Sequence, residues 1–260
     1  MDMTSHTPHG LEDRRGRSVG YVVLACLLVT GMACEEHNAA ECKRACEAKG
    51  ECTLKNGKCI ATDEADCKRS SACTSAGQCV LVADSCAATH STCKARNECK
   101  TQGLCSASKG ECAAVSNADC AGSVGCALEG RCTAEGGLCV PRGNDCLESR
   151  TCKQYGNCTP AGDRCAVRSS EDCALSAMCV QQGHCTFSDG RCMLLGDEDC
   201  KRTDICRRSG KCTYARLETV GSGYIEAGCV VGSQEDCKQS ENCRKVGACI
   251  KRKDECIVPR

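Results

Sequence analysis

Aromatic side chains are nearly missing from this chain, whose 260 residues hold one Phe, four Tyr and no Trp. Aromatics supply much of the burial in an ordinary core, so their scarcity argues against a large apolar interior. Net charge is missing too, because 34 Lys and Arg balance 34 Asp and Glu. No global field therefore draws in nucleic acid or acidic lipid. Absent as well are Cys-x-Cys and Cys-x-x-Cys pairs. Thiolate metal sites need closely spaced ligands to reach one tetrahedral ion, and dithiol exchange needs the second motif. What the chain does have is 34 Cys and 26 Gly, a cysteine content that marks a disulfide scaffold or a metal binder. The five His never recur at a fixed position, and cysteine gaps of five or six residues disfavour metal. Disulfides are the expectation, with no cofactor and no bound metal.

The first residues read as an address. Arg14, Arg15 and Arg17 precede an uncharged stretch from Ser18 to Cys34, and Glu35 and Glu36 come next. A basic flank, an apolar segment and small residues before the break describe an export signal, here residues 1–33. The stretch falls short of the ~20 apolar residues that a spanning helix needs. Cysteine parity separates two fates for Cys34. Removing Cys26 with the signal and assigning Cys34 to another role leaves an even set of 32, whereas a plain Cys34 thiol would be unpaired.

Those 32 cysteines form eight sets of four. Repeat one (42–59) carries Cys42, Cys46, Cys52 and Cys59, and repeat two (67–86) carries Cys67, Cys73, Cys79 and Cys86. Repeat three (93–112) has Cys93, Cys99, Cys105 and Cys112; repeat four (120–139) has Cys120, Cys126, Cys132 and Cys139. Cys146, Cys152, Cys158 and Cys165 make repeat five (146–165), and Cys173, Cys179, Cys185 and Cys192 make repeat six (173–192). Repeat seven (200–229) holds Cys200, Cys206, Cys212 and Cys229, and repeat eight (237–256) holds Cys237, Cys243, Cys249 and Cys256. The consensus is C-x5-C-x3-G-x-C-x6-C, with a short tail at 257–260. Repeat one lacks two residues between its first cysteines, and repeat seven gains ten between its last two. So regular a register implies a tandem array.

Each unit carries its own start and stop signals. Ser116 with Asp119, Ser169 with Asp172 and Ser233 with Asp236 have capping-box spacing, and Asp63 with Asp66 is a variant. Gly50, Gly77, Gly103, Gly130, Gly156, Gly183, Gly210 and Gly247 lie two residues before the third cysteine, where a positive φ closes a helix. Between cap and glycine about 13 residues span near 20 Å of helix. Asn56-Gly57 and Asp189-Gly190 then signal tight hairpins. The expected fold is a linear array of eight small disulfide-rich α+β repeats, each a short helix plus a β-hairpin, with no large hydrophobic core. Two short helical segments per unit are the alternative. Four cysteines allow three pairings. The hairpin geometry favours first with fourth and second with third, while first with third and second with fourth, or bridges between neighbours, stay open.

Catalytic constellations are missing. His37, His90 and His184 are isolated, and the recurring Asp66, Asp119, Asp145, Asp172, Asp199 and Asp236 are accounted for as helix caps. Asn157-Cys158-Thr159 matches a glycosylation sequon by coincidence, since its cysteine belongs to the framework. Lys251-Arg252-Lys253 beside Asp254 and Glu255 reads as a solvated face, with an acidic partner as the alternative. Catalytic, cofactor and metal sites are all expected to be absent.

Gly31-Met32-Ala33 before Cys34 resembles a bacterial lipoprotein signal, in which the first mature residue is a lipid-modified cysteine. Val23-Leu24-Ala25-Cys26 fits the same local pattern but would strand Leu27–Met32 at the mature start. Ordinary cleavage between Ala33 and Cys34 is another reading, and an uncleaved N-terminal membrane helix is a third. With the array over 42–256, the chain is similar to cysteine-rich repeat lipoproteins of gliding, fruiting soil bacteria. That resemblance implies lipid at Cys34, a tether over 34–41, an exported envelope location, periplasmic or surface-facing, and no established activity. The implied partners are the membrane and a protein or cell surface, not nucleic acid. A secreted inhibitor or toxin-like binding module is the alternative function, with the repeat-seven insertion as its distinguishing loop, and a thiolate metal-storage protein ranks below it.

Overall fold

The computed structural model describes residues 32–218 and 225–259, with side chains from residue 40 onward, those of 217–226 excepted. The chain divides into two compact units. One runs to Ala87 and holds repeats one and two, and the other runs from Ala88 and holds repeats three to eight. Each repeat is a helical half followed by a two-stranded antiparallel hairpin.

Repeat six shows the plan. Its helical half is two short helices, Ser170–Ala174 and Ala177–Gln182, rather than one continuous helix. The break falls at Ser176, whose backbone is extended at φ −93° and ψ 151°. The buried Ser176 hydroxyl accepts the N–H of Cys179 and donates to the carbonyl of Cys173. A short hydroxylated side chain thus replaces backbone helix bonds with its own. Ser70, Ser149, Thr203 and Ser240 repeat both hydrogen bonds, and Ser123 accepts from Cys126. In repeat three Arg96 holds the same extended backbone without a side-chain cap. Repeat five has turns over 143–148 in place of a first helix.

The break explains the cysteine spacing. Residues four apart share one face of a continuous helix, whereas residues six apart diverge by about a third of a turn. Repeat one has Cys42 and Cys46 four apart and is continuously helical from Met32 to Lys49. Its missing two residues are the kink. That helix also takes in residues 34–41, the segment expected to be a tether. In the other repeats the first two cysteines are six apart, and the extended residue between them re-aims the second.

The second helix ends at the recurrent glycine, which is left-handed in all eight repeats, from Gly50 at φ 73° to Gly247 at φ 75°. Three-residue strands follow, as in the pairs Thr186↔Met193, Phe187↔Cys192 and Ser188↔Arg191. Asn56-Gly57 and Asp189-Gly190 both have positive φ at both positions, the conformation that matches a tight turn to strand twist. In repeat seven the insertion lengthens the strands and not merely the loop, giving six paired rungs from Thr213↔Val230 to Glu218↔Ile225.

The first cysteine of each repeat pairs with the fourth and the second with the third. In repeat six the Cα separations are 5.5 Å for Cys173–Cys192 and 4.5 Å for Cys179–Cys185. The same nested pair recurs from Cys42–Cys59 and Cys46–Cys52 to Cys237–Cys256 and Cys243–Cys249. The long link ties the opening of the helical half to the second strand, and the short one clamps the helix end around its glycine. By loop-closure entropy the two contribute roughly 3 and 2 kcal/mol per repeat. Cysteine also dominates the buried residues. What apolar packing exists is local, as where Phe187 lies on the cluster of Val167, Cys173 and Cys192.

Candidate functional site

The recurring polar residues converge on the junctions between successive repeats. The second helices stack in order within each unit, for example Val124–Glu129 on Arg150–Tyr155 and Asp204–Ser209 on Glu241–Val246. Within a unit, the closing glycine of a repeat is pressed against the repeat that follows it. A methyl group added at Gly130 would lie 2.8 Å from Cys165 Sγ and 2.9 Å from the carbonyl oxygen of Asp145. At Gly103 the corresponding atoms are Cys139 Sγ and the Asp119 carbonyl oxygen, at 2.5 and 2.9 Å. Glycine is therefore needed twice at this position, for its left-handed backbone and for the close approach of the neighbouring disulfide.

The aspartate before the first cysteine does more than cap. Its carboxylate accepts the hydroxyl of the Ser or Thr that follows the third cysteine of the preceding repeat. The contacts are Ser106 to Asp119 at 2.9 Å, Thr133 to Asp145 at 2.7 Å and Thr159 to Asp172 at 2.9 Å. Thr186 to Asp199 at 2.7 Å and Thr213 to Asp236 at 3.1 Å complete the series. The same carboxylates accept backbone N–H groups from the connecting segment, at Val115, Arg142, Arg168, Leu195 and Gly232. Capping alone does not account for these residues. Asp172 and Asp199 are buried. Asp66 differs, pairing with Arg69 of its own helix at 2.5 Å.

Burial pushes the Asp119 carboxyl up, but N–H donors from Val115 and Ser116 and the Ser106 and Ser116 hydroxyls outweigh it and hold it below the ordinary value. At Asp236 burial is likewise overcome, by Ser233, Gly232 and Thr213. Their anionic form is the one that the junction binds.

A second set of junction bonds joins the hairpins. The N–H of Ala61 donates to the Asp84 carbonyl, that of Ala88 to Gly110 and that of Ala114 to Gly137, each at 2.9 Å. Pro141 occupies the equivalent place in repeat four and has no N–H to give. There the Arg142 guanidinium reaches across to the Gly162 carbonyl at 2.8 Å. An ion pair at 2.6 Å between Arg207 and Glu241 also bridges repeats seven and eight.

The other singled-out residues stay apart. His90 opens a helix on the surface. His184 is half-buried with an unbonded Nδ1, and burial lowers its pKa while the Asp199 carboxylate partly opposes the shift. Thr159 of the sequon is committed to Asp172. His37 and Cys34 fall among residues whose side chains lie outside the described ones. A shallow groove of about 430 Å³ on repeat one is walled largely by its two disulfides, with Lys43, Glu47 and Leu54 at its rim. Among the described residues no cluster of His, Cys, Asp or Glu is arranged to hold a metal ion. None of the described helices is long and apolar enough to cross a membrane.

The junction residues that sequence reasoning missed, Ser106, Thr133, Thr159, Thr186 and Thr213, did leave a signal. They recur directly after the third cysteine, and the pattern lapses at Val80 and Ile250.

No family model, curated protein or solved structure matches the chain. Its architecture is therefore read from its own geometry: a disulfide-bonded tandem repeat suited to an oxidising, exported setting.

Proposed function

We propose that this is a non-enzymatic cell-envelope lipoprotein, anchored through lipid on Cys34, whose repeats form a disulfide-stabilised spacer that presents an interaction surface. The observation that carries the reading is the use to which the reactive-looking side chains are put. The repeat cysteines are in disulfides. The recurring aspartates and hydroxyls are spent on joining one repeat to the next. Nothing in that pattern pairs a nucleophile with a base, whereas all of it favours a covalently reinforced, protease-resistant stalk. The resemblance of the Cys34 region to a lipoprotein signal supplies the anchor.

Detergent partitioning of the mature protein, with Cys34→Ala as the comparison, tests the anchor. The intact protein should enter the detergent phase and the variant should stay aqueous. Equal partitioning would remove the lipid. Membrane fractionation followed by protease shaving of intact cells reports the face on which the repeats lie.

One observation favours a second reading, a secreted inhibitor-like binding module. The repeat-seven hairpin is twice as long as its counterparts, with six-residue strands against three. Trimming it to the length of the others should abolish partner capture under this reading and leave a spacer unaffected.

A further inference from the structure

From repeat four onward the outer edge of each hairpin's first strand is guarded. In a two-stranded antiparallel sheet every second residue turns its N–H and carbonyl away from the partner strand. In a three-residue strand that is the middle residue, such as Phe187 opposite Cys192. Its outward N–H donates to the Ser170 hydroxyl at 3.0 Å. The same bond joins Ala134 to Asn117 at 2.9 Å, Tyr214 to Asp197 at 2.7 Å and Lys251 to Gln234 at 2.9 Å. Each acceptor is the first residue of its own repeat's opening helix. Repeat five lacks that helix, and there Pro160 holds the outward position with no N–H to expose. An unguarded strand edge is a template for another chain, and natural sheets cover theirs.

Repeat seven outgrows its guard. The first position of its opening helix, Asp197, is spent on Tyr214, yet the strand runs on to Glu218. Arg216 and Glu218 are the next two residues with the outward parity of Tyr214, and Arg216 is exposed. These rungs also lie beyond the disulfide, because Cys229 is paired with Tyr214. What remains is an unclamped two-stranded ribbon, which is marginal in water without further strands. Its outward residues carry opposite charges two positions apart. A second copy laid antiparallel along this edge, with the two-fold axis at Leu217, sets Arg216 opposite Glu218 and Glu218 opposite Arg216. Both residues have outward parity, so each pair exchanges two backbone hydrogen bonds. Sliding by one residue breaks the parity, and sliding by two sets like charges face to face. In the matched register the two Tyr214 residues stand about 20 Å apart along the sheet, so the guarding helices do not meet.

We propose that the unguarded edge of the repeat-seven hairpin, Arg216–Glu218, is a docking site for a second copy of this chain. Two hairpins join there into one four-stranded antiparallel sheet. Backbone hydrogen bonds hold the strands together, and the Arg216–Glu218 pairs fix the register. The proposal goes beyond the spacer reading and does not depend on the lipid.

Sedimentation equilibrium on the full mature chain carrying Cys34→Ala tests it with no membrane present. The parent should pass from monomer to dimer as its concentration rises. Arg216→Glu and Glu218→Arg should each weaken the dimer about 10-fold. An equimolar mixture of the two variants should regain it, because acid then faces base in both pairs. Arg216→Pro should abolish association and keep the parent's circular dichroism, since Pro160 already occupies an outward position of the same kind. A parent that stays monomeric, association that survives Arg216→Pro, or a mixture no better than either variant alone would each overturn the proposal. So would a monomeric parent whose Arg216 amide gains hydrogen-exchange protection from a synthetic extended peptide, which would assign the edge to a different partner.

Discussion

The Thr159 hydroxyl donates to the Asp172 carboxylate at 2.9 Å, and in doing so it joins the hairpin of repeat five to the opening helix of repeat six. Disulfides hold each repeat together, and this bond with its register equivalents holds neighbours in line. Asp172 is buried, so leaving either partner unsatisfied exposes the other to a desolvation penalty. Thr159→Val should cost about 1–2 kcal/mol in chemical denaturation, and Asp172→Ala somewhat more. The double variant should cost less than the sum, because the pair acts as one contact. Strict additivity would show that the two groups act separately.

The same clasps should make the array acid-sensitive. Asp119 and Asp236 bind protons less readily in the fold than in the unfolded chain. Their contribution is thus complete above the ordinary aspartate value of about 4 and is lost as pH falls through the lower folded value. Denaturation midpoints should begin to drop as pH falls below about 4. In Asp119→Asn with Asp236→Asn the drop should be smaller and the midpoint at pH 7 lower. An identical acid profile would assign the sensitivity to other carboxylates.

Gly130 meets two demands at once, a φ of 72° and contact with Cys165 Sγ and the Asp145 carbonyl. Gly130→Ala should therefore destabilise by about 2–4 kcal/mol, combining left-handed strain with overpacking. Gly57 has φ 74° but open space around it, so Gly57→Ala should cost only about 1–2 kcal/mol. Urea denaturation of the two variants separates strain from contact, and equal losses would remove the contact.

Ser176 should behave as an interior cap. Its hydroxyl satisfies an N–H and a carbonyl at the break between two five- or six-residue helices. Ser176→Ala should cost about 1–2 kcal/mol, and Ser176→Thr should restore most of it, since Thr203 fills the same place in repeat seven. Thermal melts of the three forms decide the matter.

Much of this architecture was legible because repetition amplifies local signals. The four-cysteine register, the left-handed glycines and the Asn56-Gly57 and Asp189-Gly190 turns all report backbone conformations set by nearby residues. The helix break was harder to see. Ser is tolerated within helices, and only the spacing of Cys173 and Cys179, six residues apart against four for Cys42 and Cys46, betrays the kink. The junction chemistry was hidden for a different reason. Asp172 has a sufficient local role as a capping residue, so nothing in its own segment points to Thr159 13 residues earlier. The repeat-seven insertion was readable as extra length, while its partition between strand and loop depends on cross-strand pairing that the spacing does not report.

The nesting of the sulfur links within single repeats bears on how such a chain matures and diversifies. Every described bridge closes inside one repeat, none spanning more than the 29 positions of Cys200–Cys229. A segment that reaches an oxidising setting stepwise thus has its full complement of sulfurs before the next segment arrives, and chooses among three arrangements instead of the vast number open to 32 thiols at once. Whole units can likewise be duplicated or lost without orphaning a sulfur. The lengthened hairpin of repeat seven illustrates the resulting latitude: ten residues were accommodated within one cell of the array, and the links on either side kept their register.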